Sequence, residues 1–255
     1  MRVKAVFLDL DGTLLDYEGA AWADTVADVC TALGDGRPDL DTEALCTSYT
    51  DTCYAFFAAL ESPAGQVPVR QPDGFGIWRE LWRQALADCG QADPAVVDEA
   101  VRRYVASRTA RYQLFADGLP AIADLRARVD RLALITNGPA DTQQHKIDVV
   151  GLARHFDAIV ISGAAGVAKP DPAIFELAAT QLDLPLSAIW HVGDSLQADV
   201  AGALNAHLGG AVWLNRAGER ATAAQARARP HFEIASLDEM MTLMARNDTQ
   251  YARAA

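Results

Sequence analysis

The chain has 255 residues, of which 51% are hydrophobic and 22% are charged. This composition is typical of a globular protein with a full hydrophobic core, and the length fits one or two domains. The 34 acidic and 22 basic side chains give a formal net charge of −12, which argues against nucleic acid or an anionic membrane as a partner.

The lack of a recognisable targeting signal and the spacing of the cysteines predict a cytoplasmic protein. No apolar run approaches the roughly 18 residues that span a bilayer, and Asp9 and Asp11 interrupt the N-terminal apolar stretch before a signal-peptide core forms. The four cysteines include no CxxC pair and no matching histidine spacing, so neither a zinc site nor a disulfide framework is indicated. We therefore expect a soluble cytoplasmic protein with reduced thiols, present as a monomer or homodimer.

The first predicted element is a buried strand over residues 3 to 9, a short apolar run with β-branched positions. After Asp16 the strand signals stop, and helical segments near 20–33, 41–60, 74–89 and 94–113 alternate with turn-rich stretches. These segments predict an all-helical domain inserted after the first strand, over residues 17–117. Within it, the helical spacing of Phe75, Trp78 and Trp82 favours a role in the core of that domain over a base-stacking surface.

Strand signals return after residue 118. Apolar runs separated by helix-like segments predict strands at Leu132–Thr136, Ala158–Ser162, Ile189–Val192 and Ala211–Leu214. This alternation predicts an α/β fold, a Rossmann-like parallel sheet with helices on both faces, built from residues 1–16 and 118–246. Asp171 is expected to cap a helix that starts at Pro172, and Ser236 with Glu239 to form a capping box. Residues 247–255 are expected to be a frayed tail.

Carboxylates follow two of the predicted strands. Asp9 and Asp11 end the first strand, just before Gly12, and Asp194 and Asp199 follow the strand that ends at Val192. Ligands bind at the carboxyl ends of strands in open α/β sheets. Each close pair of carboxylates there costs about 4 kcal/mol at an effective dielectric constant near 20, which implies a bound cation. Mg²⁺ suits such oxygen ligands.

Basic residues are informative because lysine is rare. The chain has three lysines, and Lys169 precedes the predicted helix at Pro172, whereas Lys4 and Lys146 are expected at the surface. His191 lies in an apolar strand, where a lone histidine is more often a satisfied core residue, so it is left out of the predicted site.

Four motifs, taken together, resemble those of the haloacid dehalogenase superfamily, most of whose members are magnesium-dependent phosphatases. They are Asp9-Leu10-Asp11-Gly12-Thr13, Leu134-Ile135-Thr136-Asn137-Gly138, Lys169-Pro170-Asp171-Pro172, and His191-Val192-Gly193-Asp194-Ser195 with Asp199. The resemblance covers about residues 1 to 16 and 118 to 245, and the inserted helices match the helical cap of the family in position and size. Within the family, the chain resembles the branch of pyrimidine nucleotidases and acylneuraminate phosphatases.

The resemblance implies a function, hydrolysis of a small phosphate monoester, and a role for each motif residue. Asp9 is the expected nucleophile, which forms an aspartyl-phosphate, and Asp11 the expected general acid and base. Mg²⁺ is expected on the side chains of Asp9 and Asp194 and the backbone carbonyl of Asp11. The phosphoryl group is expected to bind the hydroxyl of Thr136, the backbone N–H of Asn137 and the charge of Lys169, while Asp199 orients a metal-bound water or Lys169.

Three other activities remain open on this fold. A haloacid dehalogenase would use Asp9 against carbon, but it has no leaving alkoxide for Asp11 to protonate. A phosphomutase would keep the same motifs and differ in what its cap admits. A non-catalytic phosphate-binding regulatory module would need neither a nucleophile nor an acid.

Overall fold

The computed structural model describes residues 2–17, 20–61, 73–218 and 228–254. These residues form two compact units. The first takes in the described residues up to Asp16 and from Gln113 onward, and the second takes in the described residues between Tyr17 and Tyr112.

A six-stranded parallel sheet forms the centre of the first unit. The strands in chain order are β1 Ala5–Leu8, β2 Leu15–Asp16, β3 Gln113–Leu114, β4 Arg131–Thr136, β5 Ala158–Ile161, β6 Ile189–Gly193, β7 Gly210–Leu214 and β8 Phe232–Ile234. Six of them pair in the order β5-β4-β1-β6-β7-β8, while β2 and β3 form a separate antiparallel pair. Because β1 lies between β4 and β6, the ends of these three strands lie side by side.

Both faces of this sheet are buried, which is why its strands are continuous apolar runs. Phe7 packs in a cluster with Ile174 and Phe175, whereas the alternate residues Val6 and Leu8 are equally buried. The predicted parallel α/β sheet is thus confirmed. The helices of this unit are α5 Gly118–Arg126, α6 Ala140–Val149, α7 Ser162–Ala165, α8 Pro172–Leu182, α9 Ala201–Asn205 and α10 Met240–Ala254.

The second unit is helical in its described part. Its helices are α1 Ala20–Gly34, α2 Thr42–Glu61, α3 Gly74–Asp88 and α4 Pro94–Arg111. Trp82 is fully buried in their shared core and stacks on Tyr49 with ring centroids 3.8 Å apart. Trp78 is partly buried and packs edge-on against Tyr104. The tryptophans of α3 therefore belong to the core, as the sequence predicts.

Of the two predicted helix caps, the one at α8 is present and the one before α10 is not. The Asp171 carboxylate accepts the N–H of Ala173 at 2.9 Å, so the predicted cap is confirmed. The predicted capping box does not form, because the chain first makes a 3-10 turn over Leu237–Glu239. The Ser236 side chain makes no capping bond there, and the Glu239 carboxylate accepts the N–H of Ala235 instead.

The structure also moves two predicted boundaries. Residues 113–117 belong with the first unit, not the inserted one, because β3 pairs with β2. Helix α10 continues to Ala254, where the sequence predicts a frayed tail from residue 247. An ion pair of 2.6 Å between Arg128 and Asp248 ties this last part of α10 to the segment after α5. Residue 255 of the predicted tail lies outside the described residues.

None of the described helices combines the length and apolar character required to cross a bilayer. Each of the four cysteines is a free thiol.

Candidate active site

Lys169 and Asp9 form a buried ion pair at the carboxyl edge of the sheet. Asp9 follows β1 directly, and its backbone N–H donates to the carbonyl of Val192 on β6 at 3.0 Å. The Lys169 ammonium donates to Asp9 Oδ1 at 2.5 Å, to Asp199 Oδ1 at 2.6 Å and to the Ile135 carbonyl at 3.0 Å. These three acceptors match the three hydrogens of an ammonium group. They also outweigh the effect of burial, which alone would lower the pKa of Lys169, so that this pKa is raised.

Asn137 fixes the backbone of Lys169. Its side-chain amide donates to the Lys169 carbonyl, and its side-chain oxygen accepts the Lys169 N–H, both at 2.9 Å. This reciprocal pair joins the end of β4 to the segment before α8. The structure therefore brings Asn137 to the predicted phosphate-binding lysine through its side chain.

Asp199 contacts Lys169, and both of its carboxylate oxygens accept hydrogen bonds. Its Oδ1 accepts from Lys169 and from His191 Nε2 at 2.9 Å, and its Oδ2 accepts the Ser195 N–H at 3.0 Å. Burial acts to raise the pKa of Asp199, but Lys169 and His191 hold this pKa below its usual range. The carboxylate therefore stays ionised and orients the ammonium.

His191 is not among the predicted site residues, and the structure shows it as a core residue that also bonds Asp199. It is a buried residue of β6, 1% exposed, and packs edge-on against Phe175, as a core residue would. Its Nε2 nevertheless bonds Asp199. Burial lowers the pKa of His191, although Asp199 opposes this shift. A neutral ring with its proton on Nε2 fits the ionised carboxylate beside it.

Two of the predicted metal ligands, the side chains of Asp9 and Asp194, lie close to each other and to Asp199. Asp9, Asp194 and Asp199 each offer an oxygen within 4.8 Å of the other two. Burial raises the pKa of Asp9 well above its ordinary value; Lys169 opposes this shift, and the charges of Asp199 and Asp194 add to it. Carboxylate oxygens brought this close together suit a hard divalent cation. These residues could hold a metal ion.

Gly12 lets Asp194 come close to the loop after β1. A Cβ on Gly12 would lie 2.5 Å from Asp194 Oδ2, and Gly12 has a φ of +72°, a conformation that glycine adopts without strain. The close approach of Asp194, from the fourth motif, thus explains why the first motif has a glycine at this position.

The side chain of Asp11 contacts α6 and is not part of the carboxylate cluster. Lys146 donates to both of its carboxylate oxygens at 2.8 Å, and Gln143 donates to Oδ2 at 2.8 Å. Gln143 also donates to the buried hydroxyl of Thr136 at 2.6 Å. The prediction that Lys146 lies at the surface is wrong, because Lys146 is 8% exposed.

The comparisons with known proteins agree with this geometry. A family model described as haloacid dehalogenase-like hydrolase matches residues 3–207. The N-acylneuraminate-9-phosphatase of Mus musculus is 28% identical over 95% of this chain and 94% of its own length. The glyceraldehyde 3-phosphate phosphatase of Methanopyrus kandleri is 34% identical over 79% of each chain. Among solved structures, a 2-haloacid dehalogenase from Pseudomonas syringae has a TM-score of 0.69 and 27% identity, covering 96% of this chain and 99% of that one.

Proposed function

Because the chain belongs to the haloacid dehalogenase-like hydrolases, we propose that it is a Mg²⁺-dependent phosphatase acting on small phosphate monoesters. The observation that carries this proposal is the buried carboxylate of Asp9, held by Lys169 beside Asp194 and Asp199. An oriented carboxylate beside an ammonium group is suited to attack an anionic phosphoryl group, which a carboxylate cluster alone would repel.

In the proposed first step, an Asp9 oxygen bonds to phosphorus as the bond from phosphorus to the ester oxygen breaks. The Asp11 carboxyl gives its proton to the departing alkoxide, which leaves as an alcohol. The Thr136 hydroxyl binds an oxygen of the transferring phosphoryl group, and the positive charge of Lys169 stabilises the negative charge of that group. Asp199 and His191 keep the Lys169 ammonium in place.

In the second step, water attacks the phosphorus of the aspartyl-phosphate and the bond to Asp9 breaks. The Asp11 carboxylate takes the proton of that water, so that Asp9 is regenerated and inorganic phosphate is released. When bound by Asp9, Asp194 and the Asp11 carbonyl, Mg²⁺ would supply positive charge to the phosphoryl oxygens.

Haloacid dehalogenation is the second candidate, and the solved dehalogenase of similar fold favours it. In that reaction Asp9 would displace a halide from carbon, and the halide would leave without a proton. Such chemistry gives no role to a carboxyl group at Asp11, which is held here by Lys146 and Gln143. The presence of a carboxyl group at Asp11 therefore supports a phosphatase over a dehalogenase.

The substrate class follows from the names of the relatives and from the charge of the chain. Two relatives are phosphatases named for a 9-phosphate and a 3-phosphate of small molecules. We propose a sugar phosphate or nucleoside monophosphate for this chain, hydrolysed in the cytoplasm. Because the four motifs account for the phosphoryl group and the metal, we assign substrate selection to the helical unit.

A direct test measures inorganic phosphate and halide in parallel. The purified chain is incubated with a panel of phosphate monoesters and with 2-chloropropionate, each with Mg²⁺ or with excess chelator. We expect phosphate release that needs Mg²⁺, and less than about 1% of that rate for a folded Asp9→Asn variant. Asp124→Asn, at an exposed position of α5, is the matched control and should keep full activity.

Three results would overturn the proposal. Halide release without phosphate release would indicate a dehalogenase, and phosphoryl transfer to another hydroxyl of a sugar phosphate would indicate a phosphomutase. Binding of phosphate esters without turnover would indicate a regulatory module.

A further inference from the structure

Helix α6 directs two buried side chains at Asp11 from consecutive turns. Gln143 and Lys146 are three residues apart and therefore lie on one face of the helix. They are 2% and 8% exposed, although both are polar. Asp11 accepts three hydrogen bonds of 2.8 Å from them, two from Lys146 and one from Gln143.

Gln143 uses its second N–H on another residue of the site. Its Nε2 donates to Asp11 and, at 2.6 Å, to Thr136 Oγ1, so both hydrogens of the amide have acceptors. Because Thr136 Oγ1 accepts this bond, its own hydrogen remains to be donated. The carbonyl of Asn137 lies 3.5 Å from that oxygen, too far to hold the hydrogen firmly. Gln143 thus sets Thr136 as a donor for a phosphoryl oxygen.

Gly138 makes room for the side chain of Gln143 because it has no Cβ. A Cβ on Gly138 would lie 2.9 Å from Gln143 Cγ and 3.0 Å from its Cδ, and Gly138 has a φ of +140°. The glycine that follows Asn137 in the second motif therefore allows the side chain of Gln143 to pass close to the loop and reach both acceptors.

We propose that Gln143 and Lys146 are positioning residues for catalysis, acting through Asp11 and, for Gln143, also through Thr136. This inference rests on the proposed phosphatase function. Three N–H donors fit the ionised carboxylate, which is the form of Asp11 that must take a proton from the hydrolytic water. The pair therefore acts mainly on hydrolysis of the aspartyl-phosphate.

A substrate with a good leaving group allows hydrolysis of the aspartyl-phosphate to be measured separately from its formation. With p-nitrophenyl phosphate, the leaving phenolate departs with little help from an acid, so formation of the aspartyl-phosphate stays fast when Asp11 is misplaced. Its hydrolysis then becomes slow. For Lys146→Met we expect a burst of about one nitrophenolate per enzyme, followed by a steady state at least ~10-fold below the wild-type kcat. KM should fall with kcat, so that kcat/KM stays within about threefold of wild type.

Matched variants separate positioning from a general structural effect. Lys4→Met removes an exposed lysine, and Gln144→Leu changes the exposed neighbour of Gln143; both should behave as wild type. Lys146→Arg, which keeps the charge and two donors, should recover at least half of the lost kcat. Gln143→Leu should also lower kcat and, because Thr136 is affected, should raise KM for phosphate esters.

A double-mutant cycle tests whether Lys146 acts through Asp11. In an Asp11→Asn background, Lys146→Met should change kcat less than about twofold, because the group it positions is already gone. The inference is wrong if the wild type hydrolyses phosphate esters and Lys146→Met shows no burst, or if the two substitutions add fully. If the wild type itself releases no phosphate, it is the proposed function that fails.

Discussion

Gly193, the last residue of β6, allows Asp199 to reach Lys169. A Cβ at this position would lie 2.2 Å from Cγ of Asp199 and 2.3 Å from its Oδ2, which is closer than real side chains approach. Any larger residue must therefore displace Asp199. Since Asp199 accepts hydrogen bonds from Lys169 and His191, its displacement would disturb the group that holds Asp9.

We expect Gly193→Ala to lower kcat for phosphate ester hydrolysis about 100-fold, because a shift of about 1 Å in a catalytic group has effects of this size. Forcing a methyl group into this packed region should also cost about 1–3 kcal/mol of unfolding free energy. Kinetics and denaturant unfolding measure the two effects. Gly118→Ala is the control, because its Cβ would meet Leu14 at an ordinary 3.7 Å. Wild-type kcat in the Gly193 variant would contradict this account of the site.

The sequence predicts motif positions better than it predicts side-chain contacts. Asp9, Thr136 and Asp194 could be placed together because parallel strands end at one edge. His191 could not, since an apolar strand with one histidine is typical of a core. The scarcity of lysine in this chain points to Lys169 and applies equally to Lys146. It could therefore have indicated a role for Lys146 as well.

Element length decides which parts of the fold were predictable. The helices of the inserted unit and the strands of four or more residues repeat their apolar pattern often enough to be recognised. Strands β2 and β3 have two residues each and β8 has three, so none repeats its alternation often enough to be recognised. These strands form because the chain around them is already in place, which is information that a local pattern lacks.

Asp117 joins four segments of the first unit that are distant in sequence. Its carboxylate binds both terminal nitrogens of Arg216 at 2.9 Å and accepts the Leu237 N–H at 2.8 Å. Arg216 in turn donates to the carbonyl of Thr13 in the loop after β1. Burial acts to raise the pKa of Asp117, but the bonds from Arg216 and Leu237 lower this pKa below its usual value. The ionised form therefore stabilises the fold.

We expect Asp117→Asn to reduce the unfolding free energy at pH 7 by about 1.5–3 kcal/mol, the range for hydrogen bonds to charged groups. A lowered folded-state pKa gives stability that is complete above the unfolded pKa, about 3.9, and is lost as the pH falls through the folded value. The difference between wild type and variant should thus be constant from pH 7 to 5 and shrink below about pH 4.

Urea unfolding at several pH values provides this measurement for the Asp117 variant. Asp124→Asn removes an exposed carboxylate of α5 and should leave the unfolding free energy within about 0.5 kcal/mol of wild type at each pH. A difference for Asp117→Asn that stays constant down to pH 3 would contradict the ionic origin of its contribution.

The whole chain carries a formal net charge of −12, and the proposed site concentrates part of that charge. Asp9, Asp194 and Asp199 place oxygens within 4.8 Å of one another. Unit charges about 4 Å apart repel by about 4 kcal/mol at an effective dielectric constant of 20. Lys169 offsets this repulsion in part; burial is the main cause of the raised pKa of Asp9, and the charges of Asp199 and Asp194 add to it. A divalent cation held by the oxygens of Asp9 and Asp194 should therefore stabilise the folded chain.

We expect Mg²⁺ at about 100 times its Kd to add about 2.7 kcal/mol to the unfolding free energy, and to raise Tm by roughly 5–10 °C for a chain of this size. Salt also screens the overall negative charge, so the comparison is made against NaCl at equal ionic strength. Differential scanning calorimetry measures both conditions. Asp194→Asn should remove most of the Mg²⁺ increment while keeping the NaCl response, because it changes one ligand and leaves the rest of the surface intact. An equal rise in Tm with both salts, or an undiminished increment in Asp194→Asn, would place the effect of Mg²⁺ on the general surface charge and away from these carboxylates.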